Sequence, residues 1–130
     1  MAPSKTPTAQ ELKHRLAFDK RVEFDDGYGN TEGKFKEQFE VWAAVRSRGG
    51  SEAVVAARLE GRNLYGVYLR SSSQTRQIES DWQVRDLRNG AWTGEGDDQV
   101  WTGPTYAVKI VDALTDPRWV YLEIQSGVAS

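Results

Sequence analysis

Residues 16–46, "LAFDKRVEFDDGYGNTEGKFKEQFEVWAAVR", decide the fold. Leu16, Phe18, Val22 and Phe24 fall on one parity and Asp19, Arg21 and Glu23 on the other, the period of a strand buried on one face. Lys20 is the one exception on the inner parity. A second strand is expected from Phe35 to Arg46, where Phe35, Phe39, Val41, Ala43 and Val45 alternate with Lys36, Gln38, Glu40 and Arg46. Trp42 breaks that alternation and is expected to serve a second packed face. Between the strands lie Asp25, Asp26, Gly27, Tyr28, Gly29 and Asn30, which could be read as a metal loop, a phosphate cradle or a bend. Counted from Asp25, the third and fifth positions of a calcium loop are Gly27 and Gly29 and the twelfth is Lys36, so the oxygen ligands are missing. No Lys-Ser/Thr ending follows, and no helix opens there, so the phosphate reading fails too. A hairpin loop fits: glycine supplies positive backbone dihedrals, and Asp and Asn supply local turn hydrogen bonds.

Working outward, "NLYGVYLRS" (63–71), "WQVRDL" (82–87), "TYAVKIVDA" (105–113) and "RWVYLEIQS" (118–126) read as four more strands, with Pro117 setting the turn before the last. "RSRGGSEAVVAARLEGRN" (46–63) reads as a short α-helix capped by Ser51 and stopped by Gly61, with Val54, Val55 and Leu59 as its apolar stripe. "AWTG" (91–94) and "VWTG" (100–103) flank "EGDDQ" in a glycine-punctuated excursion. Its Trp92 and Trp101 have two readings, a contact surface or a fold-back over one end of the barrel. Five Trp, five Tyr and four Phe in 130 residues agree with a sheet protein. The expected fold is mainly β, a small six-stranded barrel or sandwich with one short α-helix and long loops. One domain is expected over residues 12–130, preceded by a flexible arm over residues 1–11.

Composition excludes several functions. The chain has no cysteine, which removes disulfides, thiolate metal sites and cysteine nucleophiles. No apolar run reaches the ~20 residues needed to cross a bilayer, and the opening residues lack the apolar middle of a signal peptide. A soluble protein made in a cytoplasm, without membrane contact, is expected. His14 is the only histidine and sits between Lys13 and Arg15. The serines at 71–73 have no second histidine to activate them, and the carboxylate pairs Asp25/Asp26 and Asp97/Asp98 lie on glycine loops. No enzyme is expected. An OB-like barrel gripping single-stranded nucleic acid through Arg46, Arg48, Arg70, Arg76, Arg85 and Arg88 is the alternative. A net charge of −2 leaves it without a sustained basic stripe.

Taken in order, "LKHRLAFDKR" (12–21), "DDGYGN" (25–30), "FEVWAAVRSRGGSEAVVAARLEGRN" (39–63), "YLRSSSQTRQIESDWQVRD" (68–86) and "VYLEIQSGVA" (120–129) resemble the head-tail joining proteins of tailed bacteriophages. The likeness is to head-closure, or stopper, members from phages of α-proteobacteria and from gene transfer agents. Its most specific series is Trp42-Ala43, Gly50, Glu52, Ala56-Ala57-Arg58, Leu69-Arg70 and Thr75-Arg76. The resemblance implies a small β-barrel that assembles with itself as a ring, a dodecamer following the portal's symmetry, in the virion neck. The adaptor and portal rings lie above, tail terminator or tail proteins lie below, and packaged double-stranded DNA passes through the lumen. It implies that such a protein retains DNA, closes the channel and presents the tail-docking surface, with no cofactor and no metal. The 25–30 loop is then the first hairpin, there for geometry and ring contacts. Arg46, Arg48, Gly49, Gly50, Glu52, Arg58 and Arg62 become the ring-interface or lumen candidates. One departure stands out: Tyr106, Val108 and Ile110 take the place of a family strand, leaving 91–104 as an insertion whose Trp92 and Trp101 are candidates for tail or neighbour contact.

Overall fold

The computed structural model describes residues 7–25, 27–29, 31–47, 63–96 and 99–126. Its strands are β1 (His14–Asp25), β2 (Thr31–Ser47), β3 (Leu64–Arg70), β4 (Gln83–Asp86), β5 (Ala91–Thr93), β6 (Val100–Thr102), β7 (Thr105–Asp112) and β8 (Trp119–Gln125). Six of them close into a barrel in the order β1-β2-β3-β8-β7-β4, and every neighbouring pair is antiparallel. These six are the strands expected from alternation. The 91–104 excursion adds a separate two-stranded sheet, β5-β6. Its two "WTG" segments pair with each other, Trp92 directly opposite Trp101. The expected helix over 51–61 lies outside the described residues.

The alternation builds the core. Val67 and Leu69 of β3, and Val120, Leu122 and Ile124 of β8, point inward at two-residue spacing and are buried. Phe18 stacks on Phe39 at 5.4 Å between ring centroids, and Phe39 meets Trp82 at 6.2 Å. Burying each such side chain stabilises the fold by roughly 1.5–3 kcal/mol. The "LRSSSQTR" segment locks the exit from β3. Thr75, 1% exposed, donates its hydroxyl to the Arg70 carbonyl at 2.8 Å and accepts the Ser72 amide at 2.8 Å. Arg76 donates to Ser71 Oγ and to the carbonyls of Ala113 and Pro117, tying this turn to the β7–β8 connection.

The expected alternation of the first two strands needs correction. Phe18 pairs with Phe39 but Asp19 pairs with Glu37, so Gln38 is the extra residue of a β-bulge. The bulge reverses parity in the first half of β2: Phe35 pairs with Arg21 on the outer side, and Lys36 pairs with Lys20. Lys20 is no exception inside a core, because β4 accompanies β1 only from Leu16 to Asp19. Residues 8–11 belong to the segment expected as the N-terminal arm. Ala9–Glu11 form a 3-10 turn. The Glu11 carboxylate receives two hydrogen bonds from Arg46, each 3.1 Å, and that ion pair fastens the turn to β2.

The same bulge turns Asp19 and Glu37 toward Arg85 of β4, on the outer side of the wall. Arg85 Nε and Nη2 donate to the two Asp19 oxygens at 2.7 and 2.9 Å, and Nη2 also donates to Glu37 Oε1 at 2.8 Å. Gln83 Nε2 donates to Asp19 Oδ2 at 2.9 Å. The Arg85 and Asp19 side chains are 3% and 4% exposed, whereas that of Glu37 is 47% exposed. Burial alone would lower the Arg85 pKa, but hydrogen bonds and charge from Asp19, then Glu37, reverse this and hold it above its ordinary value. Removing one partner of a buried pair leaves the other charge uncompensated. Arg85→Met is therefore expected to lower unfolding free energy by about 3–5 kcal/mol, measured by urea denaturation. A loss below about 1 kcal/mol would show that the ion pair does not hold β4 to β1.

Candidate interaction surfaces

Trp92 and Trp101 do fold back, onto the outer wall at β4 and not over an end of the barrel. Their rings meet edge to face at 5.6 Å, and the Arg85 guanidinium carbon lies 5.0 Å from one ring centroid and 5.2 Å from the other. Arg85 Nη1 is buried without a hydrogen-bond acceptor, and the negative faces of these rings are what it meets instead. Close approach needs the glycine at position 90, where an added Cβ would lie 2.3 Å from the Trp101 ring. Trp92 still keeps 52% of its surface exposed, and Val100 60%. The β5–β6 hairpin thus caps a buried ion pair with one side and offers apolar surface to solvent with the rest.

Of the lumen and ring-interface candidates, Arg46 is described and Arg48, Gly49, Gly50, Glu52, Arg58 and Arg62 lie outside the described residues. Arg46 is bound within the subunit, to Glu11 and over the Tyr68 ring at 5.1 Å. The segment they belong to leaves β2 at Ser47 and returns at Leu64, at the barrel end where β7 begins and β8 finishes. At that end a hollow of about 140 Å³ is lined by His14, Leu16, Val45, Tyr65, Asp86, Tyr106 and Ile124. Burial holds the His14 imidazole below its usual range, against the pull of Asp86.

The first hairpin ends at the opposite pole. Asp25 closes β1, Gly27 and Gly29 take left-handed φ values of +83° and +86°, and Tyr28 between them is 89% exposed. Asp26 and Asn30 lie outside the described residues. Among the described residues no group of three or more His, Cys, Asp or Glu could hold a metal ion, and no helix is long and apolar enough to cross a membrane.

Among the described residues, the arginines a strand-gripping barrel would use are turned to internal work. Arg70 lies over Trp119 at 5.4 Å, Arg88 donates to the Lys13 carbonyl at 2.6 Å, and Arg46, Arg76 and Arg85 are engaged as described. Arg15 covers Trp42 at 5.3 Å and pairs with Glu40 at 3.5 Å. Trp42, expected to serve a second packed face, points outward instead and is 51% exposed beside a groove of about 490 Å³ that runs past Arg70 and Gln74. Sequence reasoning missed the Asp19–Glu37–Arg85 group altogether. The one available signal was Arg85 itself, a cation in the middle of the short expected strand "WQVRDL".

Against known structures, the chain is similar to the solution structure of protein SF1141 from Shigella flexneri 2a. The two share 12% identity with a TM-score of 0.62, over 95% of this chain and 100% of that one. At that identity the likeness speaks for the fold. No curated protein sequence matches the chain. A family description, phage head completion protein, matches residues 7–127, which take in the barrel, the β5–β6 sheet and the connection from β2 to β3. The chain belongs to the phage head completion protein family.

Proposed function

We propose that the protein is a structural component of the virion neck. It assembles as a ring below the portal and adaptor, retains packaged double-stranded DNA and offers the surface on which the tail docks. The observation that carries this reading is the family match across residues 7–127. A ring of identical subunits needs heterologous contacts, one face of each copy against a different face of the next. The barrel suits that need, because its two poles differ: the 48–62 connection leaves one and the first hairpin the other. The connection, with Arg48, Arg58 and Arg62, is the proposed lumen element, where cations meet phosphate. Arg46 serves as its anchor on the wall, through Glu11 and Tyr68. The single-stranded nucleic-acid reading loses ground because Arg46, Arg70, Arg76, Arg85 and Arg88 spend their donors or ring faces inside the subunit. The family is a structural one, and no catalytic role is assigned.

Electron microscopy of a lysate lacking this gene is expected to show separate tails beside tailless capsids, many empty of DNA. Normal tailed particles would remove the protein from the head-tail junction. Reversing charge at Arg48 and Arg58 together is expected to lower the fraction of DNA-filled capsids while leaving subunit stability within about 0.5 kcal/mol, as for most surface substitutions. Filled capsids at the normal fraction would argue against a phosphate contact. The two tryptophans are expected to separate. Trp101→Ala lowers the stability of the isolated subunit by about 3 kcal/mol, because its ring fills the space at Gly90 and covers Arg85. Trp92→Ala has a smaller effect of about 1 kcal/mol and reduces tail joining. Unimpaired tail joining in the Trp92 variant would take this hairpin out of the docking surface.

A further inference from the structure

A row of side chains crosses the outer wall from strand to strand. Arg15 of β1 pairs with Trp42 of β2, and Arg70 of β3 pairs with Trp119 of β8. The two pairs adjoin, because Ala43, next to Trp42, pairs with Leu69, next to Arg70. Cations and indoles therefore alternate, with Arg15 laid on Trp42 at 5.3 Å and Arg70 on Trp119 at 5.4 Å. The groove of about 490 Å³ opens on this row between Arg15, Trp42 and Arg70, and Leu12 and Val41 add to its apolar lining.

The cations of the groove are not equally committed. Arg15 is partnered by Glu40, whereas the exposed Arg70 keeps only its ring contact and its N–H edge has no acceptor among the described residues. An apolar cleft beside one open guanidinium suits an apolar side chain carried next to a carboxylate.

That combination stands on the chain itself, at the far end of the same row. The turn from β7 to β8 reads Asp112-Ala113-Leu114-Thr115-Asp116, and Leu114 is 92% exposed. Its backbone is braced: Asp112 Oδ1 accepts the Leu114 and Thr115 amides at 3.0 Å each, and Oδ2 accepts the Thr115 hydroxyl at 2.6 Å. Asp116 Oδ1 accepts the Arg118 amide at 2.8 Å, while Oδ2 accepts nothing among the described residues. Leu114 does not fill the groove of its own subunit, since that subunit leaves it exposed. β7, which leads into the turn, stands three places from β2 in the closed order β1-β2-β3-β8-β7-β4.

We infer that the β7–β8 turn of one copy docks in the Trp42 groove of the next, with Leu114 against Trp42 and Leu12 and the Asp116 carboxylate on Arg70. This rests on the ring assembly proposed above. Turn and groove are different surfaces, so the contact is heterologous and passes from subunit to subunit until the ring closes. DNA suits the groove less well, because the Glu40 carboxylate lines it and repels phosphate.

The absence of native cysteine makes a clean test. Particles are assembled from two co-expressed chains, a tagged one with Gln74→Cys at the groove and an untagged one with Leu114→Cys, and treated with a short bismaleimide. Each chain carries one thiol, so every link joins two copies. The tagged–untagged dimer is expected. Homodimers only, or no dimer, would overturn the docking while leaving the neck reading intact. Absence of the chain from purified particles would instead overturn the neck reading on which the docking depends. Substitutions give a second route. Leu114→Asp is expected to leave the urea midpoint of the isolated subunit unchanged and to reduce tailed particles about tenfold or more, whereas Leu114→Met keeps them. Arg70→Glu and Asp116→Lys are each expected to reduce them too, and co-expression restores them, because each reversed groove then receives a reversed turn. Normal particle yield with Leu114→Asp, or no restoration on co-expression, overturns the proposal. Loss of packaged DNA by Arg70→Glu with the cross-linked dimer unchanged assigns Arg70 to phosphate and overturns it as well.

Discussion

Two hydrogen bonds from the Arg85 guanidinium to the Asp19 carboxylate fasten β4 to β1, and the closure of the barrel depends on them. β4 spans only Gln83–Asp86 and pairs with β7 at just Gln83, Val84 and Arg85, so its backbone ladders are short on both sides. A strand this short could slip. A slip by one residue would carry Arg85 into the core in place of Val84 and strand a buried charge. The ion pair thus specifies register more than it adds net stability, since a buried pair recovers little beyond its own desolvation. The β-bulge at Gln38 belongs to the same device, because it turns Glu37 to the side where Asp19 and Arg85 meet.

The tryptophan hairpin follows from that constraint. A guanidinium held between two carboxylates on an outer wall would otherwise be wet, and water would weaken each of its bonds. Trp92 and Trp101 cover it, meeting each other edge to face while each lies about 5 Å from the cation. The hairpin that carries them has three residues per strand and would not stand alone. It is ordered by the barrel and in turn dries the bond that closes the barrel. The hairpin has this structural duty on one side only, and Thr93, Val100 and Thr102 stand on the other.

The barrel itself was legible because alternation is a local signal. Val67 and Leu69, Val120, Leu122 and Ile124, and Phe18 and Leu16 announce their inner face within a few residues of each other. The bulge was not legible, since Phe35 fits the inner parity of Phe39 in sequence and only the pairing of Asp19 with Glu37 shows where the count shifts. Nor was the Arg85 group, whose members are 48 and 66 residues apart and share no local pattern. The "WTG" repeat was visible as a likeness, but its meaning as two strands facing each other required the register. Residues 46–63 carried the most specific part of the family resemblance. There sequence supplies an expectation of a helix and the described residues supply its two anchors, Arg46 and Leu64.

How cations are distributed then bears on what the molecule can touch. Arginines on the barrel wall are mostly committed, each laid over an aromatic ring or a carbonyl of its own chain, as with Arg46 on Tyr68, Arg70 on Trp119 and Arg88 on the Lys13 carbonyl. Such a surface has little positive charge to spare for polyanions, and a net charge of −2 adds a mild repulsion. In the proposed neck, DNA sliding past such a wall would not be gripped by it.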